Sequence, residues 1–213
     1  MRTNASAFFK VLVSKFPSEF LGAAVSEILT LPLTGKTTGV DHRITLYTML
    51  TTVPKHDAAS ITLVNALPTL IVKETNDVAI SLLVRTLPTH LNHLLACNNS
   101  IPADVTTLVS KEMNSAKPVM KRAFVSVVGA ALWHLDAVSE SINDATTAFA
   151  KAISGALEGC IKTVSANPLG TPAGPLEGYV ALAVLLSRLA VSGVFGTCFH
   201  FGCHTSRLSR IGQ

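Results

Sequence analysis

The sequence contains few charged residues. They make up 14% of its 213 positions, against about 25% in an average soluble domain. The hydrophobic fraction of 48% is ordinary. A chain with so little charge is expected to have part of its surface covered, as in a stretch of a longer repeat array whose ends meet neighbouring repeats.

Cysteines are also scarce and lie far apart, at Cys97, Cys160, Cys198 and Cys203. Four scattered thiols do not form a disulfide framework, which favours a reducing compartment. Near the N-terminus, Arg2, Lys10 and Lys15 interrupt the apolar residues, so this segment predicts an amphipathic helix and not a secretory signal. We therefore expect a cytoplasmic protein.

Signatures of catalysis are missing as well. There is no G-x-S-x-G segment, and no cysteine belongs to a recognisable nucleophile signature. Of only 13 acidic residues, several fall near predicted helix ends, where capping explains them: Glu74, Asp77, Glu112 and Asp144. We predict a protein that is not an enzyme and that has no cofactor and no small-molecule substrate.

What the sequence does contain is helical periodicity. Between residues 143 and 164 apolar side chains recur at steps of three and four, and Asn143 can cap the start of this helix. Similar stripes cover residues 7–16, 20–29, 44–53, 61–72, 78–95, 105–113 and 119–135. No segment alternates like a strand, so the predicted fold class is all-α.

Prolines and loops separate these stripes. Four prolines lie at or near predicted helix ends: Pro17, Pro54, Pro102 and Pro118. Residues 33–41 and 167–175 are predicted loops rich in turn-forming residues. Pro68 and Pro88 fall inside apolar stripes, where we expect each to kink its helix.

A repeat is visible in two places. The tetrapeptide K-E-T-N at 73–76 recurs as K-E-M-N at 111–114. Residues 82–94 overlay 123–135, which pairs Leu83 with Phe124 and His93 with His134. Chance similarity between apolar helices is the alternative, but a period of roughly 40 residues is typical of HEAT and armadillo repeats. We predict such an α-solenoid over residues 1–190, followed at 191–213 by an atypical Gly/Ser/Cys/His/Arg tail that is disordered or a gene-model artefact.

Four segments, taken in order, resemble a known family. They are H-R-I-T-L-Y-T-M-L at 42–50, L-I-V-K-E-T-N-D at 70–77, K-P-V-M-K-R-A-F…A-L-W at 117–133, and N-P-L-G-T-P-A-G-P-L-E-G-Y-V-A-L-A-V at 167–184. The set is similar to the N-terminal half of the large HEAT-repeat translational activator of general amino-acid control. The resemblance spans residues 5–186.

This resemblance implies a non-catalytic scaffold of the amino-acid starvation response. It implies association with the ribosome, with an ATP-binding-cassette translation factor, and with the initiation factor 2 α-subunit kinase, which other regions of the full protein recruit. Two alternatives remain: a generic α-solenoid adaptor without a ribosome role, and a small membrane protein anchored by residues 179–202. Arg188 near the middle of that apolar stretch disfavours a membrane span.

One cluster of cations is a candidate contact for ribosomal RNA. It consists of Lys111, Lys117, Lys121 and Arg122, at one inter-helix turn and the start of the next helix. Such a group can bind phosphates in a salt-dependent way. Ordinary solvated side chains explain it about as well, and the formal net charge of +4 fits an anionic partner without requiring one.

Neither nucleotide nor metal binding is predicted. The segment G-K-T at 35–37 lacks the earlier glycine of a phosphate loop, because Thr30 occupies that position. His90 and His93 lie one turn apart, but no Cys, Asp or Glu lies within the same helical turn to complete a site. The tail cluster is too compact for a structural zinc finger: Cys198, His200, Cys203 and His204.

Overall fold

The chain is described by a computed structural model over residues 2–15, 20–30, 39–133 and 143–166. Regular structure within these ranges is helical and includes no strand. The helices are α1 (Arg2–Lys15), α2 (Leu21–Thr30), α3 (Val40–Leu50), α4 (Asp57–Lys73), α5 (Asp77–Ala96), α6 (Ala103–Met113), α7 (Pro118–Trp133) and α8 (Asp144–Ala166). Each helix contains most of one predicted stripe, so the predicted all-α fold class is confirmed.

The helices form two layers. In one layer α2, α4, α6 and α8 pack side by side, and in the other α1, α3, α5 and α7 do so. Within one layer, the Asn92 side chain on α5 donates a hydrogen bond to the Ala131 carbonyl on α7 at 2.9 Å, so the C-terminal halves of these two helices are in contact. Across the layers, α4 pairs with α5 and α6 with α7. This stack of helix pairs is the arrangement of a HEAT-like solenoid.

The predicted repeat overlay agrees with the structure. Helices α5 and α7 occupy equivalent places in their pairs, and Leu83 and Phe124 are both completely buried. Glu74 and Glu112, from the two related tetrapeptides, both follow or end the first helix of a pair and are both buried. His134, the predicted counterpart of His93, lies outside the described residues.

The core runs between the two layers, and α4, α5 and α7 supply much of it. The largest fully buried side chains include Tyr47, Leu50, Leu63, Leu67, Leu83, Leu91 and Phe124. Complete burial of one such aliphatic side chain contributes about 1.5–3 kcal/mol. Apolar residues recur at helical spacing, so each helix presents one buried stripe to the other layer.

Helix ends follow the local sequence. Asn143 caps α8 by accepting a hydrogen bond from the Thr146 amide at 2.8 Å, as predicted. Pro118 begins α7, where its missing amide does no harm. Pro68 and Pro88 lie inside α4 and α5, and both are buried. The helices continue through both prolines; the expected kinks remain a prediction.

Helix α5 ends in a Schellman motif. Asn98 adopts a left-handed conformation with φ of 58°. The Asn99 amide donates to the Leu94 carbonyl at 2.8 Å, and the Asn98 amide donates to the Leu95 carbonyl at 3.1 Å. These two bonds satisfy carbonyls that the end of the helix leaves without partners. Asparagine tolerates the left-handed region better than other non-glycine residues.

The same asparagine also joins two layers. Its side-chain oxygen accepts a hydrogen bond from the Ala145 amide at 3.0 Å, in the first turn of α8. In return, the Asn143 side chain donates to the Leu95 carbonyl at the end of α5. The end of α5 and the start of α8 therefore cap each other.

Candidate functional site

The four predicted cations lie around the turn between α6 and α7. Lys111 is in the last turn of α6, Lys117 immediately precedes α7, and Lys121 and Arg122 are in the first turns of α7. Three of these side chains are exposed, and Lys121 is half-buried. We call this group of four residues the basic turn.

The charge of the basic turn is not offset within its own segment. Glu112 is the only acidic residue from 111 to 122, and it is only 7% exposed. The solvent-facing charge of this segment is therefore positive. The amides at the start of α7 add a partial positive charge at the same place. Such a surface can bind phosphate or carboxylate groups.

An open groove lies between α5 and α7, in the layer to which Arg122 belongs. It has a volume of about 680 Å³, and its lining includes Lys55, Arg85 and Ser126. Arg122 precedes Ser126 by one helical turn, so both lie on one face of α7. The groove therefore contains two further cations, Lys55 from the turn before α4 and Arg85 from α5.

Glu74 forms a buried ion pair that the sequence did not reveal. Arg43 on α3 donates from Nε to Glu74 Oε2 at 2.9 Å and from Nη2 to Oε1 at 3.0 Å. Tyr47 donates to the same carboxylate at 3.1 Å. The prediction that helix capping explains Glu74 is incomplete: it accepts the amides of Thr75 and Asn76, but it also joins α3 to α4.

The ionisation states of this cluster follow from its contacts. Burial raises the pKa of Glu74, but the hydrogen bonds from Arg43 and two backbone amides outweigh burial and hold the pKa below its ordinary value. Burial, followed by the negative charge of Glu74, raises the pKa of Tyr47. A paired carboxylate and a protonated phenol leave no group poised for proton transfer at neutral pH, so we assign the cluster a structural role.

His90 and His93 have separate environments, although they lie one turn apart. His90 is 1% exposed, and its Nδ1 is 3.0 Å from the hydroxyl of Ser60 on α4. Burial, with a smaller effect from the nearby charges of His93 and Lys55, lowers the pKa of His90 to about 4. His90 is therefore a neutral core residue at physiological pH.

His93 instead meets two other metal-ligating side chains. Its Nε2 donates to Asp57 Oδ1 at 2.9 Å, and Cys97 Sγ lies 3.8 Å from its Nδ1. One ligand atom from each residue lies within 4.8 Å of the other two. Cys97 follows His93 by one turn and is visible in the sequence, but Asp57 belongs to α4 and lies 36 positions from His93. Pairing of the helices was needed to reveal it.

Several predicted features lie outside the described residues. They are the G-K-T segment at 35–37, the tail cluster of Cys198, His200, Cys203 and His204, the apolar stretch 179–202, and the tail 191–213 as a whole. Among the helices that are described, none is long and apolar enough to cross a membrane.

Comparison with known proteins identifies one family. The family model described as general control nonderepressible 1 (Gcn1) N-terminal matches residues 40–197. No curated protein matches the chain, and no solved structure does. The match covers α3 to α8, including the basic turn and the clusters around Glu74 and His93.

Proposed function

This chain belongs to the general control nonderepressible 1 (Gcn1) N-terminal family, and we propose that it serves as a non-catalytic cytoplasmic scaffold that contacts ribosomal RNA through the basic turn. The observation that carries the ribosome contact is the exposure of Lys111, Lys117 and Arg122 beside a buried Glu112. The wider role, in activating the initiation factor 2 α-subunit kinase during amino-acid starvation, rests on the family.

The contact is electrostatic in this proposal. Each lysine or arginine that neutralises a phosphate releases counterions, and the affinity then falls linearly with the logarithm of the salt concentration. Lys55 and Arg85 in the groove beside α5 and α7 are further candidate phosphate contacts. Aromatic side chains do not line that groove, so backbone phosphates and not stacked bases are the expected ligands.

The protein partners of this chain are also inferred from its family. The family resemblance implies an ATP-binding-cassette translation factor and the kinase as partners, the latter recruited by other regions of the full protein. Two-layer helical arrays suit a scaffold role, because they offer long surfaces to large partners.

Co-sedimentation of the full chain with ribosomes over a salt series tests the ribosome contact. We expect pelleting at low salt that fades steeply as salt rises. Replacing Lys117, Lys121 and Arg122 together by alanine removes three phosphate contacts. The slope of log K against log salt should then become shallower by about 2–3, at 0.7–0.9 for each contact.

A matched variant controls for net charge. Lys10, Lys15 and Lys151 are exposed on other helices, and their joint replacement by alanine removes the same charge. We expect it to leave the slope unchanged. An equal loss of binding in both variants would mean that net charge alone matters. A helical chain that stays in the supernatant at every salt concentration would contradict the ribosome contact and favour the generic adaptor.

A further inference from the structure

The cluster of Asp57, His93 and Cys97 has the composition of a metal site, and none of its members belongs to the basic turn. Asp57 is the first residue of α4, His93 lies in the last turn of α5, and Cys97 is the C-cap residue of α5. The antiparallel pairing of α4 with α5 brings these ends together. His93 and Cys97 are four residues apart and so share one helix face.

The distances are close to those that a small tetrahedral ion requires. Zinc bonds of about 2.0–2.1 Å to nitrogen and 2.3 Å to sulfur place tetrahedral nitrogen and sulfur ligands about 3.5 Å apart. Cys97 Sγ lies 3.8 and 3.9 Å from the two ring nitrogens of His93. Asp57 Oδ1 lies 2.9 Å from His93 Nε2. All three ligand atoms therefore lie close enough together for one ion to bind them once the side chains have reoriented.

The three ligand types select the metal. A thiolate and an imidazole favour zinc and similar borderline-soft ions over magnesium and calcium, which prefer oxygen ligands. Zinc also accepts a carboxylate oxygen as a ligand. Three protein ligands leave a fourth position for water or for a group from a partner, as in zinc sites that are not purely structural.

The backbone that carries the ligands is held by the core, while the ligand atoms remain accessible. Leu94 and Leu95, between His93 and Cys97 in the sequence, are buried. The side chain of His93 is 19% exposed and that of Asp57 is 58% exposed. Cys97 is a free, exposed thiol. An ion from solution can therefore reach a site whose supporting helices are already packed.

We propose that Asp57, His93 and Cys97 form a zinc-binding site with one open coordination position. The competing explanation is a simple hydrogen bond between His93 and Asp57 with a thiol that happens to lie near it. The two explanations differ in one observable, which is a metal–thiolate bond to Cys97. The site is independent of the basic turn, so either proposal can fail without the other.

Cobalt binding to the full chain tests the site, because Co²⁺ occupies zinc sites and a thiolate bond gives it a near-ultraviolet charge-transfer band. The tail is a second source of thiolate and imidazole ligands, so every protein carries Cys198→Ser and Cys203→Ser. In this background we expect the band to saturate at one Co²⁺ per chain and to disappear when Zn²⁺ is added.

Single substitutions then assign the ligands. Cys97→Ser should abolish the band, and His93→Gln or Asp57→Asn should weaken Co²⁺ affinity at least about tenfold, since loss even of a supporting group around a metal costs 10–100-fold. Three matched controls, Cys160→Ser, His42→Gln and Asp77→Asn, should leave affinity unchanged. Circular dichroism verifies that each variant keeps the helical content of the parent.

Two results would overturn the proposal. One is the absence of a thiolate band in the background chain at saturating Co²⁺, which would leave the His93–Asp57 hydrogen bond as the whole explanation. The other is a band that survives Cys97→Ser, which would place the metal at a different thiol. Neither result bears on the ribosome contact, which the salt series measures separately.

Discussion

Glu74 joins three helices through one side chain. It follows the last residue of α4, holds Arg43 and Tyr47 of α3, and accepts the two amides that lead into α5. Both oxygens of the carboxylate engage the guanidinium, a bidentate geometry that fixes orientation as well as charge. A buried carboxylate with this many donors is costly to disturb, since the partner cation would then lack its counter-charge.

Replacement of Glu74 by glutamine should therefore lower the free energy of unfolding by about 3 kcal/mol, near the lower end for a buried pair that loses one member. Arg43 keeps partial access to water, with 13% of its side chain exposed, and this limits the loss. Denaturant unfolding followed by circular dichroism measures the change. Glu27→Gln on α2, where the side chain is exposed, should change stability by less than about 0.5 kcal/mol.

The effect of Glu74→Gln should also depend on pH. The pKa of Glu74 is lower in the folded chain than in the unfolded chain, so the ion pair stabilises fully above the unfolded value of about 4.3. Its contribution disappears as the pH falls from there through the folded pKa. The difference between parent and variant should shrink in that acidic range. A difference that stays constant down to the acid transition would contradict the assignment.

His90 also makes stability fall as the pH decreases, but in a higher pH range than Glu74. Its folded pKa is about 4, whereas an unfolded imidazole has a pKa of about 6.5. Between these values the unfolded chain binds a proton that the folded chain does not, so stability falls as the pH decreases. This single group should cost about 3 kcal/mol between pH 7 and pH 4. Unfolding curves measured across that range test the estimate.

His90→Gln removes the titrating group and provides the comparison. The variant is expected to be less stable at pH 7, because the hydrogen bond to Ser60 is disturbed. Its stability should nevertheless depend less on pH between 6.5 and 4 than that of the parent. His42→Gln, at an exposed position of α3, should keep the parental slope. If the unfolding free energies of the parent and of His90→Gln depended on pH in the same way, His90 would not be kept neutral by burial.

At the scale of helices, the junction between α5 and α8 depends on Asn98. This residue combines a left-handed backbone with a side chain that caps another helix. The two roles can be separated by substitution. Glycine keeps the backbone conformation and loses the cap, alanine loses both, and aspartate keeps an acceptor at the positive end of α8.

We expect a graded series at this position. Asn98→Gly should lower the free energy of unfolding by about 1 kcal/mol, the value of a helix cap. Asn98→Ala should cost about 1–2 kcal/mol more, because a β-carbon strains the left-handed conformation. Asn98→Asp should stay close to the parent. Thermal and denaturant unfolding measure the order, and an alanine variant as stable as the glycine variant would show that the conformation carries no cost.

Alanine substitution is expected to change stability in opposite directions at two helical glycines, Gly22 and Gly155. A β-carbon added at Gly22 on α2 would lie 2.9 Å from the β-carbon of Ala58 on α4, whereas one added at Gly155 on α8 would meet nothing within 4 Å. Gly22→Ala should therefore destabilise by about 1–3 kcal/mol through overpacking. Gly155→Ala should stabilise by up to about 1 kcal/mol, because alanine loses less backbone entropy in a helix.

Denaturant unfolding of both alanine variants checks this pair. Helix propensity favours alanine at both positions, so a loss of stability at Gly22 together with a gain at Gly155 reports the packing of Ala58 against Gly22. If both substitutions changed the free energy of unfolding equally, α2 and α4 would not be in close contact at Gly22 and Ala58.

For the whole molecule, the sequence predicted the helices well because each one buries a single stripe. The eight periodic segments all correspond to helices, and the overlay of Leu83 on Phe124 anticipated the pairing of the layers. Local periodicity carries this information directly. The grouping of cations in the basic turn could also be predicted from the sequence, since these residues are close together in it.

Contacts between side chains of different helices could not be predicted from the sequence. Arg43 meets Glu74 across 31 positions, and Asp57 meets His93 across 36. Nothing in the local pattern marks such partners, because a charged residue near a helix end also suits capping. The register of α4 against α5 decides which side chains meet, and register depends on packing. The repeat period constrained that register only roughly.

Packing between helices that are near one another in sequence has a consequence for synthesis. The principal contacts join helices one or two places apart in the chain, so contact order is low and assembly is expected to be fast. Helices α4 and α5 can pair as soon as both have left the exit tunnel, and each later helix adds to a surface already formed. The cap between Asn98 and Ala145 closes only after α8 emerges. Until then the contacts of Asn98 and Leu95 with α8 are missing, so this junction between the two layers is completed only when the last described helix has been made.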